Sequence, residues 1–524
     1  MLHSENRQGG EEDHRAVAVF SPFLVLLLAV MMVSGCGNGQ DANALSEQRE
    51  RQYALNSRLL SESLGQFISN DKDSIAADNA LRSYYSDSTN VRLWTPELMP
   101  TIQADSLLRV LEHSIVRAGF SIKSFRINQI REDIDSLLPV NTDSLQPTHI
   151  ERLARLEYLL SKAYLRYTRG QRFGFVDNPE KLLNRAQEAC VASDQHIEVP
   201  SADFATQTLK EAANGNAIGF LLKCEPTANL YRQLEQKLAE TTESTARQRL
   251  IANMERERWH HTNRPRNDEK YVLVNVAAQQ LWAVNPDTVL QMRVVCGARR
   301  TKTPLMQGRL NRVIVNPYWY IPAKLVRDEI SPHGGDSAYF ARHHYFITNS
   351  DNDTLNPRHV SREQLAANRY RVTQHRGAGN ALGRLKFNFD NSYSVYLHDT
   401  NTPNTFQRAD RALSHGCVRV QRPYDLACFL LNLDEEADKE TLDKLRVAIG
   451  QQPKGDKEKE WLEQNGDDPK AVLNRFPNKA VSPNVPVYII YYTIYPNPED
   501  NMLQTWGDPY GYDTLLLKAL KPFM

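Results

Sequence analysis

At 524 residues the chain is longer than one hydrophobic core ordinarily serves, so two or three domains are expected. Basic and acidic side chains balance at 63 each, which argues against a general nucleic-acid binder. Hydrophobic residues make up 41%, as in soluble globular proteins, once the N-terminus is set aside.

That N-terminus has its own character. Ala16 to Val33 is strongly apolar, follows Arg15 and ends in Val33-Ser34-Gly35-Cys36. A short apolar core closed by small residues has the pattern of an export signal; the alternative is an uncleaved anchor. The stretch resembles a bacterial lipobox, which implies that residues 1–36 are a lipoprotein signal and that Cys36 carries the lipid. Gly37 is not the aspartate that retains such proteins in the inner membrane, so a periplasm-facing lipoprotein of the outer membrane is expected. Glu11-Glu12-Asp13 is unusual for the head of a signal and leaves a later start open. Six cysteines are few for an exported chain, so disulfides are not expected to organise the fold; whether Cys190 and Cys224 pair, spacing leaves open. Cys296 and Cys428 read as core.

Residues 37–50 are polar, without an apolar period, and read as a flexible tether. A helical scaffold is expected over 51–265. Leu108, Leu111 and Ile115 share a face before a stop at Gly119. Thr148 and Glu151 have capping-box spacing, and Leu153, Leu156, Leu160, Ala163 and Tyr167 carry a stripe as far as Gly170. Leu230, Leu234 and Leu238 begin another. At Tyr271 the period becomes strand-like, opening a mainly-β unit expected over 266–445, so the fold class is α+β with several domains. Alternation lapses over 323–384, a polar insertion with His333, His343, His344 and His375 that reads as a lid or a surface excursion. The remainder, 446–524, reads as a charged linker, a strand rejoining the sheet and a last helix.

The chemistry concentrates after that insertion. Leu385, Phe387 and Phe389 alternate with Lys386 and Asn388, Asp390-Asn391 is turn chemistry, and Val395 and Leu397 alternate with Tyr396 and His398. If Cys417 to Val420 is also a strand, Cys417 and Arg419 share a face. A thiolate nucleophile needs a base, dipoles for an oxyanion and a backbone free to approach substrate. His398 or His415, the amides around Gly416-Cys417, and Gly416 itself meet these needs.

His398, followed after about fifteen residues by Ser414-His415-Gly416-Cys417-Val418-Arg419, resembles the signature of the bacterial L,D-transpeptidases of peptidoglycan. Further likeness to the large, scaffold-bearing branch runs through Val315 to Pro322, Gly379 to Phe387, Val395 to Thr400 and Val485 to Tyr488. The resemblance implies Cys417 as nucleophile and His398 as base, with His415 and Gly416 shaping the site. It implies Tyr396 and nearby amides as oxyanion donors, and Ser414, Arg419, Asp399, Asn380 and Gly383 as the substrate side. It further implies 3→3 cross-linking of peptidoglycan stem peptides, labelling of Cys417 by carbapenems, and no cofactor. The chain is expected to act as a monomer held to a membrane through Cys36, without nucleic acid. No inserted peptidoglycan-binding module is recognisable.

A zinc site built from His398, His415 and Cys417 is disfavoured, because His415-x-Cys417 is not the usual ligand separation and no fourth ligand suggests itself, so no metal is expected. Two other readings stay open: an L,D-carboxypeptidase that resolves the same thioester with water, and a non-catalytic wall-binding lipoprotein.

Overall fold

The computed structural model describes residues 39–73, 76–87, 90–183, 197–259, 265 and 269–524; Cys36 and Cys190 fall outside them. A helical half leads into a β-rich half, and among the described residues no helix is long and apolar enough to cross a membrane. The supposed tether is helical from its third residue, as the start of α1 (Gly39–Asn70). It lacks an apolar stripe, but Ala, Leu, Gln, Glu and Arg are good helix formers, and Leu60 and Leu64 bury its far end.

In the scaffold, Thr101 caps α2 (Ile102–Arg117) by accepting the Ala104 N–H, and Leu108, Leu111 and Ile115 are buried as their spacing predicts. The central helix α3 (Pro147–Phe173) begins at Pro147 rather than after Thr148, and runs through Gly170 instead of stopping there. Gly170 lies where a Cβ would collide with the Phe175 ring, so packing demands the glycine. Glu157 of α3 is buried and accepts hydrogen bonds from Trp94 N at 2.9 Å and Thr95 N at 3.0 Å, fixing the incoming loop.

Helix α4 (Asn229–Glu240) leads to α5 (Ser244–Arg258), which is buried from Leu250 onward because it lies between the two halves. Its Asn253 accepts from Thr493 N at 3.0 Å and donates to Thr493 Oγ1 at 2.8 Å, while Glu257 accepts from the Tyr492 hydroxyl at 2.8 Å.

The β half opens with β1 (Tyr271–Asn275), β2 (Gln280–Val284), β3 (Val289–Gly297) and β4 (Met306–Val315). The insertion that follows is a small subdomain of its own. Strands β5 (Trp319–Tyr320), β6 (Tyr345–Thr348), β7 (Thr354–Leu355) and β8 (Arg371–Gln374) form a sheet ordered β5-β8-β6-β7. Ile321, Val326, Ile330, Phe340, Ile347, Val360, Leu365 and Val372 give it a separate apolar core.

The main sheet resumes with β9 (Leu385–Phe389), β10 (Leu397–His398), β11 (Ala412–Ser414), β12 (Val418–Val420) and β13 (Lys479–Ile490). Its order is β11-β3-β12-β10-β9-β4-β13-β1-β2, and β2 also pairs with β3, so the sheet closes on itself and leaves few free edges. Strand β13 sits between β1 and β4, so the C-terminal stretch is integral to the sheet. Helix α6 (Pro423–Leu431) starts at Pro423, but Cys428 on it is partly exposed rather than core, whereas Cys296 on β3 is buried. The charged stretch expected as a linker folds into helices Asp456–Asn465 and Pro469–Leu473. Glu458, 1% exposed, accepts from Arg475 Nε at 2.8 Å, a buried charge pair that composition does not reveal. Helix α7 (Tyr512–Leu520) closes the chain against α5.

Candidate active site

Three neighbouring strands carry the site. Leu397 on β10 pairs with Phe387 on β9 and with Val418 on β12, and all three fill the interior. The residues between them therefore face outward together. The register sets Lys386, His398 and Arg419 in one cross-strand row. One residue back, Tyr396 stands beside Cys417, and the Tyr396 carbonyl accepts the Val418 N–H at 3.1 Å.

The turn before Cys417 is fixed from within and from outside. Ser414 Oγ donates to the Cys417 carbonyl at 2.5 Å and accepts the Gly416 N–H at 3.1 Å. Gly416 has φ +124°, which a side chain would strain. From the β3–β4 loop, Thr301 Oγ1 donates to Ser414 O at 2.8 Å and Thr303 Oγ1 donates to Gly416 O at 2.8 Å. The Tyr510 hydroxyl then accepts from Thr303 N at 3.1 Å and donates to Gly297 O at 2.6 Å, tying the C-terminal segment to the turn. Among the described residues no acceptor takes the Cys417 N–H, whereas the amides on either side are engaged. That amide is free for a developing oxyanion.

His398 is buried, and its Nδ1 lies 2.5 Å from the Asp399 carbonyl oxygen. A carbonyl only accepts, so Nδ1 carries the proton and Nε2 keeps its lone pair. Burial first, then the positive charges of Arg419 and Lys386, hold His398 down at about 3. Burial pushes the Cys417 thiol up, against the opposing pull of Tyr396, Lys386 and Arg419. The resting pair is therefore a thiol and a neutral imidazole. The Tyr396 hydroxyl lies against Cys417 and hydrogen-bonds with the Trp319 side chain, and burial raises its pKa too.

Other residues expected at the site lie elsewhere in its architecture. His415 is exposed and turned toward the insertion, its Nε2 2.8 Å from Glu329 Oε1. Asn380, 1% exposed, donates to Pro317 O and His375 O and accepts from Leu382 N. Asp399 accepts from Arg384 N at 2.8 Å and Thr400 N at 2.7 Å, and Gly383, with φ +64°, leaves room for that carboxylate. Through these bonds Asn380, Asp399 and Gly383 brace the loops around His398. Sequence reasoning had missed Lys386, Trp319 and Glu329. Lys386 was findable, since strand alternation puts it on the face of His398. Among the described residues no group of His, Cys, Asp and Glu is arranged to hold a metal ion.

Fold and site together define a closed β domain with a cysteine–histidine constellation on its outer face, mounted on a helical scaffold. The family model of the L,D-transpeptidase catalytic domain matches residues 269–489, and that of a scaffold domain matches 79–238. A protein of Haemophilus influenzae named "Putative L,D-transpeptidase" is 28% identical over 315 residues, which cover 58% of this chain and 62% of that protein. The chain therefore carries an L,D-transpeptidase catalytic domain together with a scaffold domain.

Proposed function

We propose that the protein is a murein L,D-transpeptidase that forms 3→3 cross-links by cysteine acyl transfer. The observation that carries this reading is the site face itself: Cys417 stands one row from His398 on the adjacent strand, with its own N–H unclaimed among the described residues. Cys417 Sγ attacks the carbonyl of residue three of a tetrapeptide stem as His398 Nε2 takes the thiol proton. The oxyanion is received by the Cys417 amide and the Tyr396 hydroxyl. The C–N bond then breaks, His398 returns the proton to the departing D-alanine nitrogen, and a thioester remains. An amine from another stem attacks the thioester, gives its proton to His398, and the thiol is restored. Splitting amide exchange in this way replaces one difficult step by two easier ones.

The insertion's subdomain reaches the site through Glu329 at His415 and Trp319 at Tyr396; as a cap it would favour an amine over water, since exclusion of solvent disfavours hydrolysis. The substrate calls for a chain exported to the wall, held by lipid at Cys36. Incubation with labelled tetrapeptide muropeptides tests the reading. Cross-linked dimers, abolished in Cys417→Ala, are expected; tripeptide alone would make the enzyme a carboxypeptidase, and no turnover with no carbapenem adduct on Cys417 would make it a non-catalytic wall-binding protein.

A further inference from the structure

The row Lys386–His398–Arg419 places two cations on either side of the imidazole. The Lys386 ammonium stands 4.0 Å from the Tyr396 ring centroid, which aims it along the face that bears Cys417. Among the described residues neither cation has a carboxylate partner. Arg419 Nη1 donates to Thr402 Oγ1 at 3.3 Å, and its Nε is buried with no partner at all. Asp399, beside His398 in sequence, already spends its carboxylate on the Arg384 and Thr400 amides. Two half-buried charges of one sign, left uncompensated around a nucleophile, are costly unless the ligand supplies the opposite charge.

A wall stem presents that charge. In a tetrapeptide donor the terminal carboxylate lies one carbon from the scissile nitrogen, and residue three can carry a second on its side chain. We propose that Lys386, together with Arg419, seats a carboxylate of the donor peptide, and that Lys386 selects stems with this carboxylate free over stems in which it is amidated. This rests on the transpeptidase reading and names the group its donor must carry. A carboxylate there also offsets the two positive fields on His398, so the imidazole accepts the thiol proton more readily once the donor is bound.

The test uses binding, so that it stands apart from turnover. The full-length Cys417→Ala protein is titrated calorimetrically with three tetrapeptides: both carboxylates free, the C-terminus amidated, and the residue-three side chain amidated. A charge-assisted contact predicts about ten- to a hundredfold weaker binding of one amide. Adding Lys386→Met should abolish that preference while leaving the disfavoured amide's affinity unchanged, and Lys386→Arg should restore it. Which amide is disfavoured identifies the carboxylate seated. No preference in the parent protein, or one that survives Lys386→Met, overturns the proposal. Equal loss for all three peptides also overturns it, because Lys386 would then serve the fold of the face. If Lys386→Met melts early, Lys386→Gln replaces it in the same titrations. Absence of cross-linking by the unsubstituted protein, with the carboxylate preference intact, would refute the transpeptidase reading and not this seat.

Discussion

The Arg256 guanidinium, 2% exposed, reaches the Asp513 carboxylate at 2.7 Å, and this ion pair joins α5 of the helical half to α7. Asp513 also accepts from Thr493 Oγ1 at 2.7 Å, and Arg256 lies over the Tyr491 ring. Tyr491 in turn donates to Asp508 at 2.5 Å and accepts from Tyr510 N at 3.0 Å. The scaffold is thereby linked to Tyr510, which clamps the turn before Cys417. Removing one partner of a buried pair strands the other charge, at about 3–5 kcal/mol. Arg256→Met should therefore lower the melting temperature sharply, whereas Arg256→Met with Asp513→Leu should recover much of the loss. A single variant that melts like the parent would show that the pair does not hold the halves together.

Tyr510→Phe isolates the last link of that chain. The substitution keeps the ring but leaves the Thr303 N–H buried and unsatisfied, a cost of about 1–3 kcal/mol. Thr303 holds the Gly416 carbonyl, so the turn should loosen and the Cys417 amide lose its aim. Carbapenem acylation of Cys417 is expected to slow by about tenfold or more, the scale of losing an oriented oxyanion donor. Thermal unfolding with the same stability loss but an unchanged acylation rate would confine Tyr510 to a packing role.

His398 makes the fold pH-dependent in a stated direction. Its folded pKa is depressed from 6.5 to about 3 by burial, Arg419 and Lys386, so the unfolded chain binds this proton more readily. The contribution to stability is complete above 6.5 and is lost as the pH falls toward 3. Parent protein should accordingly lose more melting temperature over that window than His398→Gln does. The thiol, raised by burial, should show iodoacetamide alkylation that climbs with pH above neutrality. A plateau between pH 5 and 8 would mean a standing thiolate–imidazolium pair and contradict the neutral resting state.

What the sequence disclosed followed from periodicity. The β9–β10 hairpin, the shared face of Tyr396 and His398, and the buried Val418 and Val420 all rest on a period of two, which short strands preserve. The insertion showed in the lapse of alternation, but its own sheet and core stayed hidden, because β5 and β7 are two residues each, too short for alternation to register, and the core gathers residues scattered from Ile321 to Val372. The bracing role of Asn380, Gly383 and Asp399 was not legible, because the motif gives their positions and not the backbone groups they bond. The Glu458–Arg475 pair was invisible for a related reason, since a charged run reads as solvated until its partner is placed.

Glu329 had no signal at all, being 86 residues from its partner His415. Yet it is the insertion's direct grip on the residue two positions before Cys417. Both side chains are about half exposed, 51% and 55%, so the contact is worth about 0–1 kcal/mol. Its consequence should fall on the position of the insertion more than on stability. Glu329→Ala should melt within a degree or two of the parent, yet exchange amide hydrogen faster over 323–342. With the insertion less firmly held, water competes better for the thioester. In the muropeptide assay the ratio of tripeptide to dimer should rise several-fold. Unchanged exchange together with an unchanged ratio would reduce the His415–Glu329 contact to a surface pair without a part in the reaction.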